Sequence, residues 1–413
     1  MAMLPEGWSA HDLGDLAQKI EGGGTPPRNE PSYWDGDIPW ASVKDLRGVK
    51  LSTTEEFISE LGLENSSSKL IPSNTMIIAS RMAVGKAVFF NQDVAINQDL
   101  KAFYPKENTD GLFLLQWYLS QSEKIESLAT GSTVKGIRLD DLTLLPIDLP
   151  PLPEQQKIAT ILSSVDDVIE KTRAQVDKLK DLKTGMIQEL LTKGIGHTEF
   201  KDSPAGRIPE SWSVVRLGDI TVEHKQGYYS KERYSENGTY VIRITDMASP
   251  KISFTEMPKM VISKDEVEAY RVKEGDFLFA RSGAIGRYGI YESKNQAVFA
   301  SYLIRFRFDP ERCINYFIGY CYESDFCQHQ IASITQGSSN ININANNIKD
   351  IMIPLPSVSE QNKICIRLKS LDKRIDLLSL KYQQLNSIKK ALMQDLLTGK
   401  VRVNLIDKES AVV

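Results

Sequence analysis

Apolar residues recur with two different periods along this chain, and the changes of period mark out its parts. Between Ile158 and Leu190 they fall at 158, 162, 165, 169, 176, 179, 182, 186 and 190; between Ile364 and Leu396 they fall at 364, 368, 371, 375, 378, 382, 385, 388, 392 and 396. Steps of four and three sustained over four to five heptads predict two long helices, each with a narrow apolar stripe. Thr172 is the one weak position in the first stripe, where the second has Leu378. Pro153 or Ser359 stands before a Glu-Gln opening, and Gly194 or Gly399 follows the last apolar turn, as helix starts and stops require. A helix from Glu154 to Thr192 spans about 58 Å at roughly 1.5 Å per residue. One stripe of that length needs a partner, and the duplicate helix is the nearest candidate, so an antiparallel coiled coil is expected. The competing reading packs each helix only on its own globular domain.

Outside the helices the pattern shortens. Runs such as "TMIIAS", "KAVFF", "DFLFA" and "YLIRFRF" are separated by turns rich in Gly, Asn and Ser and read as strands. "FLLQWYLS" after Leu112 and "INYFIGYCY" read as helices at equivalent places. The fold class expected is α+β: a globular mixed α/β domain followed by a long helix, written twice.

The repetition is direct. "LPEQQKIATIL" from Leu152 returns as "VSEQNKICIRL" from Val358, and Glu154 and Asp166 return 206 residues later as Glu360 and Asp372. "LPEGWSAHDLGDL" from Leu4 answers "IPESWSVVRLGDI" from Ile208 at an offset of 204, and "ASRMAVGK" from Ala79 answers "ARSGAIGR" from Ala280 at 201. A unit of about 200 residues is too long for a solenoid repeat, and the drifting offset implies small loop insertions after one duplication. The boundaries expected are 1–150 and 208–356 for the globular domains, 151–197 and 357–413 for the helical segments, with the polar stretch 198–207 as linker.

Composition changes this picture little. The 413 residues, 41% apolar and 25% charged, are ordinary for a soluble chain. Residues 1–13 have neither a basic start nor an apolar core, and no run approaches membrane length, so neither signal peptide nor membrane is expected and the cytoplasm is the default. The four cysteines are too few and uneven for a disulfide framework; Cys321, Cys327 and His329 lack a Cys-x-x-Cys spacing, so buried thiols are expected rather than a metal site. Residues 4–153 hold 13 basic and 21 acidic side chains, whereas 360–413 hold 11 and 6. Nucleic acid would therefore be met by local basic faces and not by bulk charge.

Catalytic motifs are missing. Gly85-Lys86 is followed by Ala87 and has no phosphate-loop glycine upstream; "GGGT" at Gly22–Thr25 lacks the context of a dinucleotide fingerprint; the Asn/Asp-Pro-Pro-Tyr/Phe tetrapeptide of adenine methyltransferases does not occur. What remains is binding chemistry in equivalent loops. Ser132, Thr133, Lys135 and Arg138 parallel Ser338, Ser339, Asn340 and Asn342; the two small-residue turns each hold a pair of cations, Arg81 and Lys86 in one and Arg281 and Arg287 in the other; Thr25 and Arg28 hold the place of Lys225, Tyr228, Lys231 and Arg233. Hydroxyls and cations suit phosphate oxygens, and Arg and Asn can make paired hydrogen bonds to guanine and adenine. Solvated turns are the plain alternative for each.

Two variable domains opening on Leu/Ile-Pro-x-x-Trp, each followed by a helix that opens on Pro/Ser-Glu-Gln-x-Lys-Ile and closes on Leu-Leu-Thr, resemble the DNA-specificity subunit of type I restriction–modification enzymes. The resemblance covers essentially the whole chain. It implies two target-recognition domains, each reading one part of a split double-stranded DNA site, held apart by the coiled coil about one turn of DNA from each other. It implies two modification subunits that bind S-adenosylmethionine and methylate adenine, restriction subunits that translocate and cut, and no cofactor or catalysis in this chain. A coiled-coil adaptor without DNA binding is the alternative, supported by the acidic first domain.

Overall fold

A computed structural model describes residues 4–230, 233–335 and 342–405. The chain forms two compact units, residues 1–174 with 379–413, and residues 175–378. Each therefore contains one globular domain and parts of both long helices, which run Leu152–Lys193 and Val358–Leu396.

In the first unit a five-stranded sheet has the spatial order Ala17–Gly22, Leu100–Pro105, Met76–Ala79, Ala87–Phe90, Lys50–Leu51. A four-stranded sheet follows the order Glu56–Ile58, Ile38–Ala41, Val94–Ile96, Lys69–Ile71, with its central pair parallel. In the second unit the order Thr221–Gln226, Leu303–Phe308, Phe277–Ala280, Tyr288–Ile290 repeats the first sheet, and Thr239–Ile242 again pairs in parallel, here with Ala297–Phe299. The apolar runs read as strands are buried along their length, as in Met76–Ala79 and Phe277–Ala280. Helices Gly111–Ser120 and Asn315–Glu323 cover the sheets at matching places.

Within each unit the long helices run antiparallel and also cover the domain. In the first, Ile158 and Leu162 share a core with Phe113, Leu149, Leu396 and Leu397. Full burial of one such side chain stabilises by about 1.5–3 kcal/mol, so neither the domain nor the partner helix can be peeled off cheaply. The reading in which each helix serves only its own domain is thus incomplete. The stripe itself differs from its predicted course at one place in each copy. Leu182 and Ile388 are half exposed, and Lys183 and Lys389 turn inward instead. The inward row steps 176, 179, 183, 187, 190, with an extra step of four. An α-helix drifts about 20° per heptad, and such a step brings the row back to the seam. Thr172 is buried, its hydroxyl donating to the Val168 carbonyl at 2.7 Å.

The inward lysines meet carboxylates in register. Lys389 lies 2.6 Å from Asp166, and Lys183 lies 2.8 Å from both Asp372 and Glu323. The Glu-Gln helix openings do matching work. Glu154 accepts from the Trp8 indole at 3.1 Å and Glu360 from the Trp212 indole at 3.0 Å. Gln155 accepts from the Asp110 N–H and donates to the Asn108 and Pro150 carbonyls; Gln361 accepts from the Ile314 N–H and donates to Arg312 and Pro356. Gly194 and Gly399 end the helices with φ of +64° and +68°. A Cβ on Gly194 would meet the Trp212 ring at 2.8 Å, and one on Gly399 would run into Pro5, so glycine is required twice over.

The stretch 198–207, expected as a polar linker, is folded. Phe200–Ser203 and Gly206–Pro209 form an antiparallel hairpin with Ala205 and Ile208 buried. All four cysteines are buried free thiols, and among the described residues no His, Cys, Asp or Glu group is arranged to hold a metal. Among those residues no helix is long and apolar enough to cross a membrane.

Candidate nucleic-acid interface

Two loops distant in sequence meet in each unit, and backbone hydrogen bonds make them meet. In the first, the turn leaving strand Met76–Ala79 lies under the loop after Thr130. Ile137 donates to the Ser80 carbonyl at 2.9 Å, Met82 donates to the Lys135 carbonyl at 2.8 Å, and Thr130 and Gly136 pair with each other. This clasp brings Arg81 together with the exposed Ser132, Thr133 and Lys135, and with Arg138 just before helix Leu139–Thr143. In the second unit Ile343 donates to the Arg281 carbonyl at 2.8 Å and the Arg281 Nε donates to the Asn342 side chain at 3.0 Å. Ser338, Ser339, Asn340 and Lys231 lie outside the described residues.

Other expected contact residues are engaged within their own domains. Arg28 grips the Glu56 carboxylate with both terminal nitrogens, one at 3.0 Å, while its guanidinium lies 3.7 Å from the centre of the Trp34 ring. That hydrogen bonding holds the Glu56 carboxyl below its ordinary range. Thr25 donates to Gln98 at 2.6 Å. Lys86 donates to the Leu46 carbonyl at 3.3 Å and Arg287 to the Ile244 carbonyl at 3.3 Å. Lys225 donates to the Ala269 carbonyl at 2.6 Å and lies 4.4 Å over the Tyr270 ring, and the Tyr228 hydroxyl donates to Glu266 at 3.3 Å. These side chains brace the loops that their sequence pattern marked as contact surface. Arg233 is exposed.

Positive charge is further reduced by Asp99, 3.3 Å from Arg81. The first unit is left with a narrow basic and hydroxyl-bearing ridge at Lys135 and Arg138, in keeping with its acidic composition. Hydroxyls and cations clustered on a clasped loop can meet phosphates, and the half-exposed guanidinium of Arg81 can reach a base edge. A pattern reading does not find Asp99, Trp34, Glu56 or, in the second unit, Tyr229, Tyr234, Arg243 and Tyr302. Tyr229 lies within the basic–aromatic run "KQGYYSKER" (Lys225–Arg233) and Tyr234 directly after it, so that run carried the signal for both; Arg243 and Tyr302 are too far along the chain for any spacing rule.

Comparison with known proteins decides the family. The model of the type I restriction modification DNA specificity domain matches residues 5–180 and again 209–387. The chain belongs to this family. Relatives of the specificity family include the MjaVIII specificity subunit of Methanocaldococcus jannaschii, 26% identical over 97% of this chain and 94% of that one. The EcoKI specificity subunit of Escherichia coli is 22% identical over 89% and 82%. The crystal structure of the type I restriction–modification S subunit from M. genitalium has the same fold, with a TM-score of 0.61 at 16% identity over 97% of both chains. The two specificity domains are tandem copies, and specificity subunits of this family recognise DNA without catalysing its chemistry.

Proposed function

We propose that each domain reads one part of a split DNA site, and that the chain directs partner methyltransferase and restriction subunits to it. The observation that carries this reading is the repeated clasp: in both copies of the specificity domain, backbone hydrogen bonds join two sequence-distant loops into one surface. Because the two surfaces carry different side chains, the two parts of the site differ in sequence. S-adenosylmethionine belongs to the methyltransferase partner, which supplies the adenine-binding tetrapeptide that this sequence lacks.

The test is to map methylated adenines in the genome of a host carrying the system, with and without this chain. Methylation at a bipartite, non-palindromic site that vanishes on deletion is expected. Exchanging residues 130–138 for those of another specificity subunit should change one half of the site alone. Methylation independent of this chain, or a change in both halves, would refute the reading.

A further inference from the structure

The second unit has a cleft of about 470 Å³ walled by Tyr228, Tyr229, Tyr234, Arg243 and Tyr302 over a floor that includes Val241 and Met260. Three of the tyrosines are largely open to solvent: Tyr229 is 70% exposed, Tyr302 61% and Tyr234 57%. Large aromatics gathered in the open around one concavity mark a recognition surface rather than a packing accident. The cleft adjoins the clasped loops at Tyr302, which also lines the depression formed by Ser282, Gly283 and Asn342. Arg243 is held in place by the Asp246 carboxylate at 2.8 and 3.1 Å and by the Glu256 carbonyl at 3.0 Å.

The first unit carries different chemistry at the matching backbone positions. Tyr302 accepts from the Arg281 N–H through its carbonyl as Asp99 does from the Ser80 N–H, so Tyr302 corresponds to Asp99. The Tyr228 backbone N–H donates to the Phe299 carbonyl as that of Gly24 does to Ile96, so Tyr229 corresponds to Thr25. The N–H groups of Arg243 and Ser42 each donate to an aspartate three residues on. Polar side chains in one copy stand where tyrosines and an arginine stand in the other.

We propose that the tyrosine cleft receives the C5-methyl edge of a pyrimidine, thymine in ordinary DNA, within the part of the site read by the second unit. This rests on the DNA-specificity reading above and deepens it. The thymine methyl is the one apolar group in the major-groove edge pattern of the four bases, and ring faces of tyrosine are what would bury it. A phosphate is the poorer occupant, since three hydrogen bonds of Arg243 are already given to Asp246 and Glu256. The tyrosine hydroxyls and the guanidinium form a polar rim that can meet the neighbouring O4 or N7 atoms.

The complex of this chain with its methyltransferase partner is titrated with duplexes bearing the mapped site, each thymine of the second part replaced in turn by deoxyuridine. One replacement should lower affinity about three- to fivefold, the size of one methyl returned to water. Tyr302→Ala and Tyr229→Ala should weaken binding of the thymine duplex and remove its advantage over uracil, while Tyr302→Phe keeps the advantage. Replacements in the first part of the site should be read alike by all variants. Uracil tolerated at every position, a second part without thymine on either strand, or a thymine preference surviving both alanine variants would overturn the proposal alone. A complex that binds no duplex bearing the site would overturn it together with the DNA-specificity reading.

Discussion

Replacing Lys183 by Met should destabilise the second unit more than replacing Lys389 by Met destabilises the first, although the two lysines occupy the same place in the repeat. The Lys183 side chain is only 16% exposed and lies 2.8 Å from each of two carboxylates, Glu323 and Asp372. Lys389, 14% exposed, has one carboxylate, Asp166, which also accepts from Gln116 at 2.7 Å. Removing one partner of a fully buried ion pair costs about 3–5 kcal/mol. Here the stranded Asp372 and Glu323 remain about a fifth exposed and keep hydroxyl donors in Tyr320 and Tyr288. The cost for Lys183→Met is therefore about 2–3 kcal/mol, and for Lys389→Met about 1–2 kcal/mol. In a unit of this size about 2–3 kcal/mol lowers the melting temperature by roughly 5–10 °C. Adding Glu323→Gln to Lys183→Met should recover about half the loss. Burial works against the charge on Lys183, yet Glu323 and Asp372 together hold its ammonium above the ordinary lysine range. A cation whose folded-state pKa is raised contributes fully below its unfolded value and fades as pH rises through the folded one. The gap between wild type and Lys183→Met should thus be constant from neutral pH to about pH 10 and close above it. Urea unfolding followed by far-ultraviolet circular dichroism across that range checks both parts. Equal costs for the two lysines, or a gap that widens at alkaline pH, would refute the reasoning.

Lys135→Ala with Arg138→Ala should weaken DNA binding by the assembled complex and flatten the dependence of log affinity on log salt by about one unit per lost phosphate contact; an unchanged slope between 50 and 200 mM salt, read by gel shift, would make these side chains bystanders. Gln361→Leu should cost about 2–4 kcal/mol, because it orphans the Ile314 N–H and two carbonyls in a site with no solvent access. Gln155→Leu should behave alike in the first unit, and a wild-type urea midpoint for either would contradict the bonding described.

The duplication, the two long helices and the main strands were legible in the sequence, because each rests on spacing along the chain, and the family was legible through the resemblance of the repeated motifs. A repeated Glu-Gln helix opening, a stripe of apolar residues and a glycine at a helix end are local statements, and local geometry honours them. What only the tertiary structure decided is how those elements use one another. A strict count of fours and threes placed Leu182 and Ile388 in the seam; the drift of an α-helix, together with carboxylates from the opposing helix, put Lys183 and Lys389 there instead. The basic residues near the loops looked interchangeable as a pattern. Folding divides them: Arg28, Lys86, Lys225 and Arg287 bond to their own domains, while Lys135 and Arg138 stay exposed. The tyrosine cleft joins Tyr229, Arg243 and Tyr302 across more than seventy residues of chain. No periodicity reports such a meeting, because side chains from the segments that follow separate strands become neighbours only when the sheet orders and backbone clasps are made.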